Sequence, residues 1–331
     1  MKILLIQTAF IGDVILATAL LEELATHRRG DTIDFLLRRG NAPLLANNPH
    51  VNEVLIWDKK QKYRSLVHLF KKIQLRHYDA VVNLQRFGAT GLLTAFTGAR
   101  ARIGFAKNPF SFAYTRRLPH RIDPTGPVVH EIDRNRSLIA HWLPADAERQ
   151  LPSLYPSVAD RQYVQTTGPY VCLAPTSVWF TKQWPAARWS ALIDRLPADH
   201  AIHLLGAPAD RAACQAIIDA SARPDAHNRA GELSFLQSAA LMQRARMSYV
   251  NDSAPLHLAS AVDAPVTAIF CSTVPGFGFT PLSTDAHVVE TAEPLPCRPC
   301  GLHGKRACPE GHFRCAAIDP ARVAATLRTR P

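Results

Sequence analysis

Along the first half of the chain, short apolar runs take turns with stretches whose apolar positions recur at helical spacing. The pattern predicts a strand at 2–7, a helix at 13–27, a strand at 32–38, a helix around 41–47, a strand at 53–57, a helix at 63–76 and a strand at 79–84. After Pro124-Thr125-Gly126-Pro127 a helical pattern runs from Ile132 to Trp142. Leu151-Pro152 and Tyr155-Pro156, with polar residues to about 168, read as a linker. A second series follows, with strands at 169–174, 201–205, near 227, at 247–251 and at 265–270, and helices at 185–196, 209–221, 233–244 and 254–262. Strand and helix in alternation imply βαβ units on parallel sheets. The reading is therefore two doubly wound α/β domains in tandem, 1–155 and 156–331, with their shared cleft as the default site.

Length supports that division, because 331 residues exceed what one core usually serves. Hydrophobic content of 47% and charged content of 20% describe a folded globular protein. The net charge of +11 is unevenly spread: residues 1–150 carry 22 Lys/Arg against 13 Asp/Glu. A basic N-terminal half suits an anionic partner, whether nucleic acid, an acidic membrane or a phosphorylated substrate. The densest cluster is Lys59, Lys60, Lys62, Arg64, Lys71, Lys72 and Arg76, interleaved with Leu66, Leu69, Phe70 and Ile73. At helical spacing this is an amphipathic basic helix suited to a membrane surface, or else a solvated face over a core. Lys2 followed by an apolar stretch and Ala17-Thr18-Ala19 imitates a secretory signal, but Asp13 interrupts it. The chain thus reads as cytoplasmic, resting on the inner face of a membrane at most.

Neither G-x-G-x-x-G nor a Walker-type loop occurs, which removes the usual support for dinucleotide oxidoreductases and P-loop ATPases. No nucleic-acid reader motif accompanies the charge, so no nucleic-acid partner is expected. Chemistry gathers instead at strand-to-helix junctions. Asn251-Asp252-Ser253-Ala254-Pro255-Leu256-His257 leads from a strand into a helix whose free N–H groups offer a seat for a diphosphate. Ser253 adds a hydroxyl and His257 lies one turn along, although a capped helix with a core-facing histidine fits the same spacing. Thr176, Ser177 and Lys182 sit between a buried strand and Pro185, able to grip phosphate oxygens or merely to cap a turn. Asp210 follows Gly206 past another strand end and can accept ribose hydroxyls or serve as the acid at a helix start.

Taken together, Ile11-Gly12-Asp13, Thr176-Ser177…Lys182-Gln183-Trp184-Pro185, Gly206…Asp210 and Asn251-Asp252-Ser253…Pro255…His257-Leu258-Ala259 stand in the order and spacing of glycosyltransferase family 9. The chain resembles that family, which includes the ADP-heptose:lipopolysaccharide heptosyltransferases, over nearly its whole length. Asp79-Ala80-Val81-Val82-Asn83-Leu84-Gln85, Arg102-Ile103-Gly104-Phe105, and His130-Glu131 with Arg134 share the likeness. The resemblance implies a GT-B fold, an N-terminal acceptor domain, a C-terminal ADP-sugar domain, and inverting transfer that requires no metal. It implies Asp13 as general base, and Thr176, Ser177, Lys182, Asp252 and the Ser253, Ala254 and His257 helix start around the diphosphate, with Asp210 at the ribose. Gln85 and Arg86 become candidate acceptor contacts, and the acceptor a phosphate- and carboxylate-rich lipopolysaccharide core. The chain departs from many relatives at Ala9-Phe10, where hydroxyls are common, and at Ala254, where Gly is. A GT-B nucleotide-sugar epimerase, or a non-catalytic basic protein binding membrane or nucleic acid on the same fold, are the alternatives.

Four of the seven cysteines fall at Cys297-x2-Cys300-x7-Cys308-x6-Cys315, with His303 and His312 among them. A structural zinc is one reading of that spacing, and disulfides or free thiols are the other. Cys172, Cys214 and Cys271 read as core residues.

Overall fold

The computed structural model describes residues 1–58, 62–124 and 126–327, with the backbone alone at 62–64. The chain divides into two compact units, one of residues 1–122 and 129–155 and the other of 123–128 and 156–331.

In the first unit the elements run β1 (Lys2–Ile6), α1 (Ile11–His27), β2 (Thr32–Arg38), β3 (Glu53–Trp57), α2 (Lys62–Gln74), β4 (Ala80–Asn83), α3 (Gly88–Ala95), β5 (Ala101–Phe105), β6 (Arg116–Leu118) and α4 (Glu131–Ser137). All six strands are parallel, in the order β3-β2-β1-β4-β5-β6. β1 lies at the centre, and Ile3, Leu4, Leu5 and Ile6 have no exposed surface. A strand covered on both faces must be apolar without alternation, and burial of each such side chain stabilises the fold by about 1.5–3 kcal/mol. β1 and β4 are adjacent, yet the chain leaves β1 toward β2 and returns to β4 on the other side. Helices on opposite faces diverge there, and the strand carboxyl ends leave a crevice.

The second unit runs α5 (Val158–Tyr163), β7 (Tyr170–Ala174), α6 (Ala186–Ile193), β8 (Ala201–Leu204), α7 (Arg211–Asp219), β9 (His227–Asn228), α8 (Phe235–Arg244), β10 (Ser248–Asn251), α9 (Ala254–Ser260), β11 (Val266–Phe270), β12 (Ala286–Glu290) and α10 (Pro320–Ala324). Its parallel sheet has the order β12-β11-β10-β7-β8-β9, the same winding as the first. β7 takes the place of β1 and β10 that of β4. Trp184 and Trp189, fully buried and edge-on with centroids 5.2 Å apart, seat α6 against this sheet.

Three of the segments read from the sequence take a different form in the structure. The helix around 41–47 is a 3-10 turn, Arg39–Leu45, because Pro43 inside it has no N–H to give an α-helical bond. The segment read as a linker contains α5, closed by a reciprocal cap in which Ser157 Oγ accepts from Asp160 N (3.1 Å) and Asp160 Oδ2 accepts from Ser157 N (2.8 Å). The helical pattern from Ile132 to Trp142 breaks after Ser137 into a 3-10 turn at Ala140–Trp142. Of the basic cluster near 59–76, Lys59 and Lys60 lie outside the described residues, as do the side chains of Lys62 and Arg64.

Candidate active site

In the first unit, Asp13 occupies the first turn of α1. Its Oδ2 accepts the Phe10 N–H at 3.1 Å, so the carboxylate caps the helix it belongs to, at the positive end of the dipole. Half-buried, it is nevertheless pushed up to about 6. Burial is the main cause and the negative charge of Glu131 adds to it, while the Phe10 N–H and the Arg38 and Arg86 guanidinium groups act the other way. Glu131 is itself held below the usual range by His120, 3.1 Å away, and Arg134, 2.6 Å away. It therefore keeps its negative charge beside Asp13.

Arg38 had no sequence signal of its own. It reaches the site because β2 lies beside β1 with Arg38 at its carboxyl end, where its guanidinium stacks 5.5 Å from the Phe10 ring and donates to Asn41 Oδ1 (3.2 Å). Gln85 and Arg86, expected as acceptor contacts, follow β4 at the same edge but have different fates. Gln85 is buried, with its side-chain amide donating to Gln7 Oε1 and its backbone held by Asn83 Oδ1 (2.8 Å) and Asn108 Nδ2 (2.9 Å). That makes Gln85 a staple between loops. Arg86 is exposed, its guanidinium 5.6 Å from the Phe87 ring.

In the second unit, the expected donor residues lie on the loops after the adjacent parallel strands β10, β7 and β8, and so on one sheet edge. Asn251, wholly buried, fastens both ends of the loop carrying Thr176, Ser177 and Lys182: its Nδ2 donates to Pro175 O (2.8 Å) and its Oδ1 accepts from Trp184 N (3.0 Å). Gln183 Nε2 braces the middle by donating to Ser177 O (2.7 Å). Thr176 and Ser177 remain half-buried at the loop's start. Lys182 Nζ lies 2.7 Å from Asp252 Oδ2, which also accepts from Thr273 Oγ1 at 2.6 Å. Asp252 is buried, so an ammonium partner compensates much of its desolvation.

Ser253 precedes α9 with its backbone extended, and its Oγ donates to Asn251 O (3.4 Å) instead of capping the helix. Ala254 and Pro255 form the first turn, half-buried, and Pro255 has no N–H. His257 is buried, its ring edge-on to Phe279 with centroids 6.5 Å apart. Asp210 is half-buried, and its Oδ2 accepts from Ala207 N (2.8 Å), which closes a tight turn. Gly206 is required in that turn, because a Cβ there would stand 2.8 Å from Asp210 Cβ.

All seven cysteines are free thiols, with Cys172, Cys214 and Cys271 buried in the core. Cys297, Cys300, Cys308 and Cys315 share a neighbourhood. Burial raises the Cys300 and Cys315 thiols, the latter to about 11, and the negative charge of the other cysteines raises them further. Cys297 Sγ is 3.9 Å from His312 Nε2. Among the described residues no three His, Cys, Asp or Glu side chains are grouped as they would be around a metal ion. The segment has another structural task, since Lys305 N donates to Thr181 Oγ1 (2.8 Å), Thr181 N to Lys305 O (3.1 Å), and the Phe313 and Phe180 rings pack 5.1 Å apart. It braces the loop that ends in Lys182.

Two such doubly wound units in tandem form a fold of the GT-B class. The sequence profile of glycosyltransferase family 9 (heptosyltransferase) matches residues 66–307, and the chain belongs to that family. It is 28% identical over 279 residues to lipopolysaccharide heptosyltransferase 3 of Escherichia coli, covering 80% of this chain and 82% of that one. It is 26% identical to lipopolysaccharide heptosyltransferase 1 of Pseudomonas aeruginosa, over 91% of this chain and 86% of that one. The fold is similar to that of the E. coli ADP-heptose lipopolysaccharide heptosyltransferase II structure, with a TM-score of 0.79, 22% identity, and coverage of 99% of this chain and 97% of that chain.

Proposed function

We propose that this glycosyltransferase moves a heptose from ADP-heptose to an anionic lipopolysaccharide inner-core acceptor with inversion, and that Asp13 is its general base. The observation that carries this reading is a carboxylate raised to about 6, beside two arginines, at the switch point of a basic unit. A base works best when it is ionised at the working pH yet retains affinity for a proton, and a value near 6 meets both needs. Asp13 takes the proton of the acceptor hydroxyl as that oxygen attacks the anomeric carbon. The bond from that carbon to the diphosphate oxygen breaks, and ADP departs with the electron pair. Arg38 and Arg86 suit phosphate or carboxylate groups on the acceptor.

Lys182, the hydroxyls of Thr176 and Ser177, and the start of α9 at Ser253, Ala254 and His257 suit the departing diphosphate, with Asp210 at the ribose. In this reading Lys182 exchanges Asp252 for a phosphate oxygen of the donor. In this reading cationic and N–H donors neutralise the leaving group, so no metal is required for transfer. The names of the curated relatives, lipopolysaccharide heptosyltransferases, and of a solved neighbour that uses ADP-heptose support the donor and acceptor classes. No described helix is long and apolar enough to cross a membrane, and the protein is proposed to act at the cytoplasmic face of the inner membrane as a peripheral visitor.

Asp13→Asn tests the base. Transfer is expected to fall by about 10²–10⁴-fold, the usual contribution of a positioned base, while ADP-heptose affinity stays within a few-fold. Unchanged turnover would remove Asp13 from the role. A thermal-shift comparison of adenosine, uridine and guanosine diphosphates and their sugars tests the donor, and stabilisation by uridine compounds alone would overturn the ADP assignment.

A further inference from the structure

Between residues 59 and 122 there are fourteen Lys/Arg residues and a single acid, Asp79. From 80 to 122 there is none. This stretch builds α2, β4, α3, β5 and β6, and it also carries a cluster of large apolar side chains that the fold leaves in solvent. Phe87 is 54% exposed, Phe96 56% and Phe112 75%, with Leu92 and Leu75 also exposed. The set is structurally continuous. α2 and α3 cover one side of the sheet through Leu69, Ile73 and Leu93, and their ends are joined by Gln74 Nε2 donating to Phe96 O (3.2 Å) and by the Phe70 and Phe96 rings, 6.5 Å apart. At the opposite end of α3, a Cβ on Gly88 would touch Phe110, whose ring lies 6.1 Å from that of Phe112. Lys71, Arg100 and Lys107 flank these positions along the chain and are exposed, with no acid among the residues from 80 to 122 to offset them. Lys72 and Arg76, by contrast, are engaged by Glu53.

Exposed apolar side chains interleaved along the chain with cations, and with no acid between 80 and 122, suit an amphipathic face whose two parts match the two layers of an anionic leaflet. We propose that this face, made by the outer sides of α2 and α3 with the Phe110–Phe112 turn, docks the enzyme on an anionic phospholipid bilayer, with Phe96 and Phe112 inserting at the headgroup boundary. The inference deepens the proposed reading and rests on it only for what the leaflet carries, an acceptor held in the membrane.

Co-sedimentation of the full chain with phosphatidylglycerol/phosphatidylcholine vesicles, and with phosphatidylcholine alone, tests it. Binding is expected to the anionic vesicles only and to weaken as salt rises. Phe96→Ser with Phe112→Ser is expected to weaken it by roughly tenfold or more, and Arg100→Gln or Lys107→Gln by about fivefold each, the value of about 1 kcal/mol per cation near such a surface. ADP-sugar affinity and melting temperature of the variants serve as the folding control and stay near wild type. No binding to anionic vesicles, equal binding to both vesicle types, or binding untouched by the two serines would overturn the proposal. So would a duplex oligonucleotide that displaces the vesicles and is bound equally by the serine variant. Vesicle binding by a protein that responds only to uridine nucleotides would keep the docking face and sink the donor assignment, so the two failures are distinguishable.

Discussion

The two units wind their sheets identically, yet their switch points hold opposite electrostatic arrangements. In the first, four residues separate β1 from α1, and the short turn delivers Asp13 directly onto the helix start, with its charge opposed by burial and by Glu131. In the second, residues 175–185 intervene between β7 and α6, and the longer loop reaches far enough for Lys182 to meet Asp252, just past the end of the neighbouring strand β10. One unit keeps a carboxylate short of partners, and the other pairs its charges in advance. Loop length after the first strand decides which, and it does so without altering the sheet. A carboxylate held with raised proton affinity is suited to moving a proton. A cation already held by a buried acid is suited to changing partner when a diphosphate arrives.

The sharpest way to break this contrast is to remove the cation. Lys182→Met leaves Asp252 buried without its ammonium, which is expected to destabilise the second unit by about 3–5 kcal/mol and to weaken ADP-sugar binding by more than about tenfold. Lys182→Met with Asp252→Asn separates the two effects, because stability returns while donor affinity does not. Denaturant titration alongside calorimetric binding reads both quantities. Donor affinity that recovers in the double variant would show that Lys182 serves the fold alone.

The corresponding test in the first unit is pH. Transfer is expected to fall about tenfold for each pH unit below about 6 as Asp13 takes up its proton. Arg38→Met removes a positive neighbour that lowers Asp13, so the acid limb moves upward. Stability carries the same signature with a definite sign. Asp13 is raised above its ordinary range near 4, so folding takes up a proton between about 4 and 6, and stability falls as pH rises through that window. Asp13→Asn should therefore melt higher than wild type at pH 8 and at the same temperature near pH 4. A limb unmoved by Arg38→Met would mean that the titrating group lies elsewhere.

How much of this was written in the chain depends on the range of the interaction. β1 from Ile3 to Ile6 and β7 are continuous apolar runs because both faces are covered, and such runs are visible in sequence. α3 was not seen, since Gly88, Thr90, Gly91 and Thr94 are poor helix formers and the element lasts eight residues. β6 and β12 are edge strands, the first with two exposed arginines in three residues and the second with Val288 in solvent, so neither presents a clear apolar period. At the sites, Asp13 and the Asn251-Asp252-Ser253 turn were legible because strand ends and helix starts are local events. Arg38 was not, since its place beside Asp13 exists only once β2 pairs with β1. Gln85 was legible as a position but not as a role, because its partner Gln7 is 78 residues away.

Asp210 offers the finest test, since both units use a carboxylate to close a turn and the proposal gives each a second task. Its Oδ2 is occupied by the Ala207 N–H, leaving Oδ1 for a ribose hydroxyl. Asp210→Ala removes both bonds, and loss of the cap alone is expected to cost about 1 kcal/mol of stability. Comparison of ADP with its 2′,3′-dideoxy analogue isolates the other bond. Wild type should favour ADP by about tenfold, the net value of roughly one hydrogen bond to a charged group, and Asp210→Ala should erase that preference while binding the analogue as wild type does. A preference that survives the substitution would confine Asp210 to its turn and place ribose recognition on other groups of the same edge.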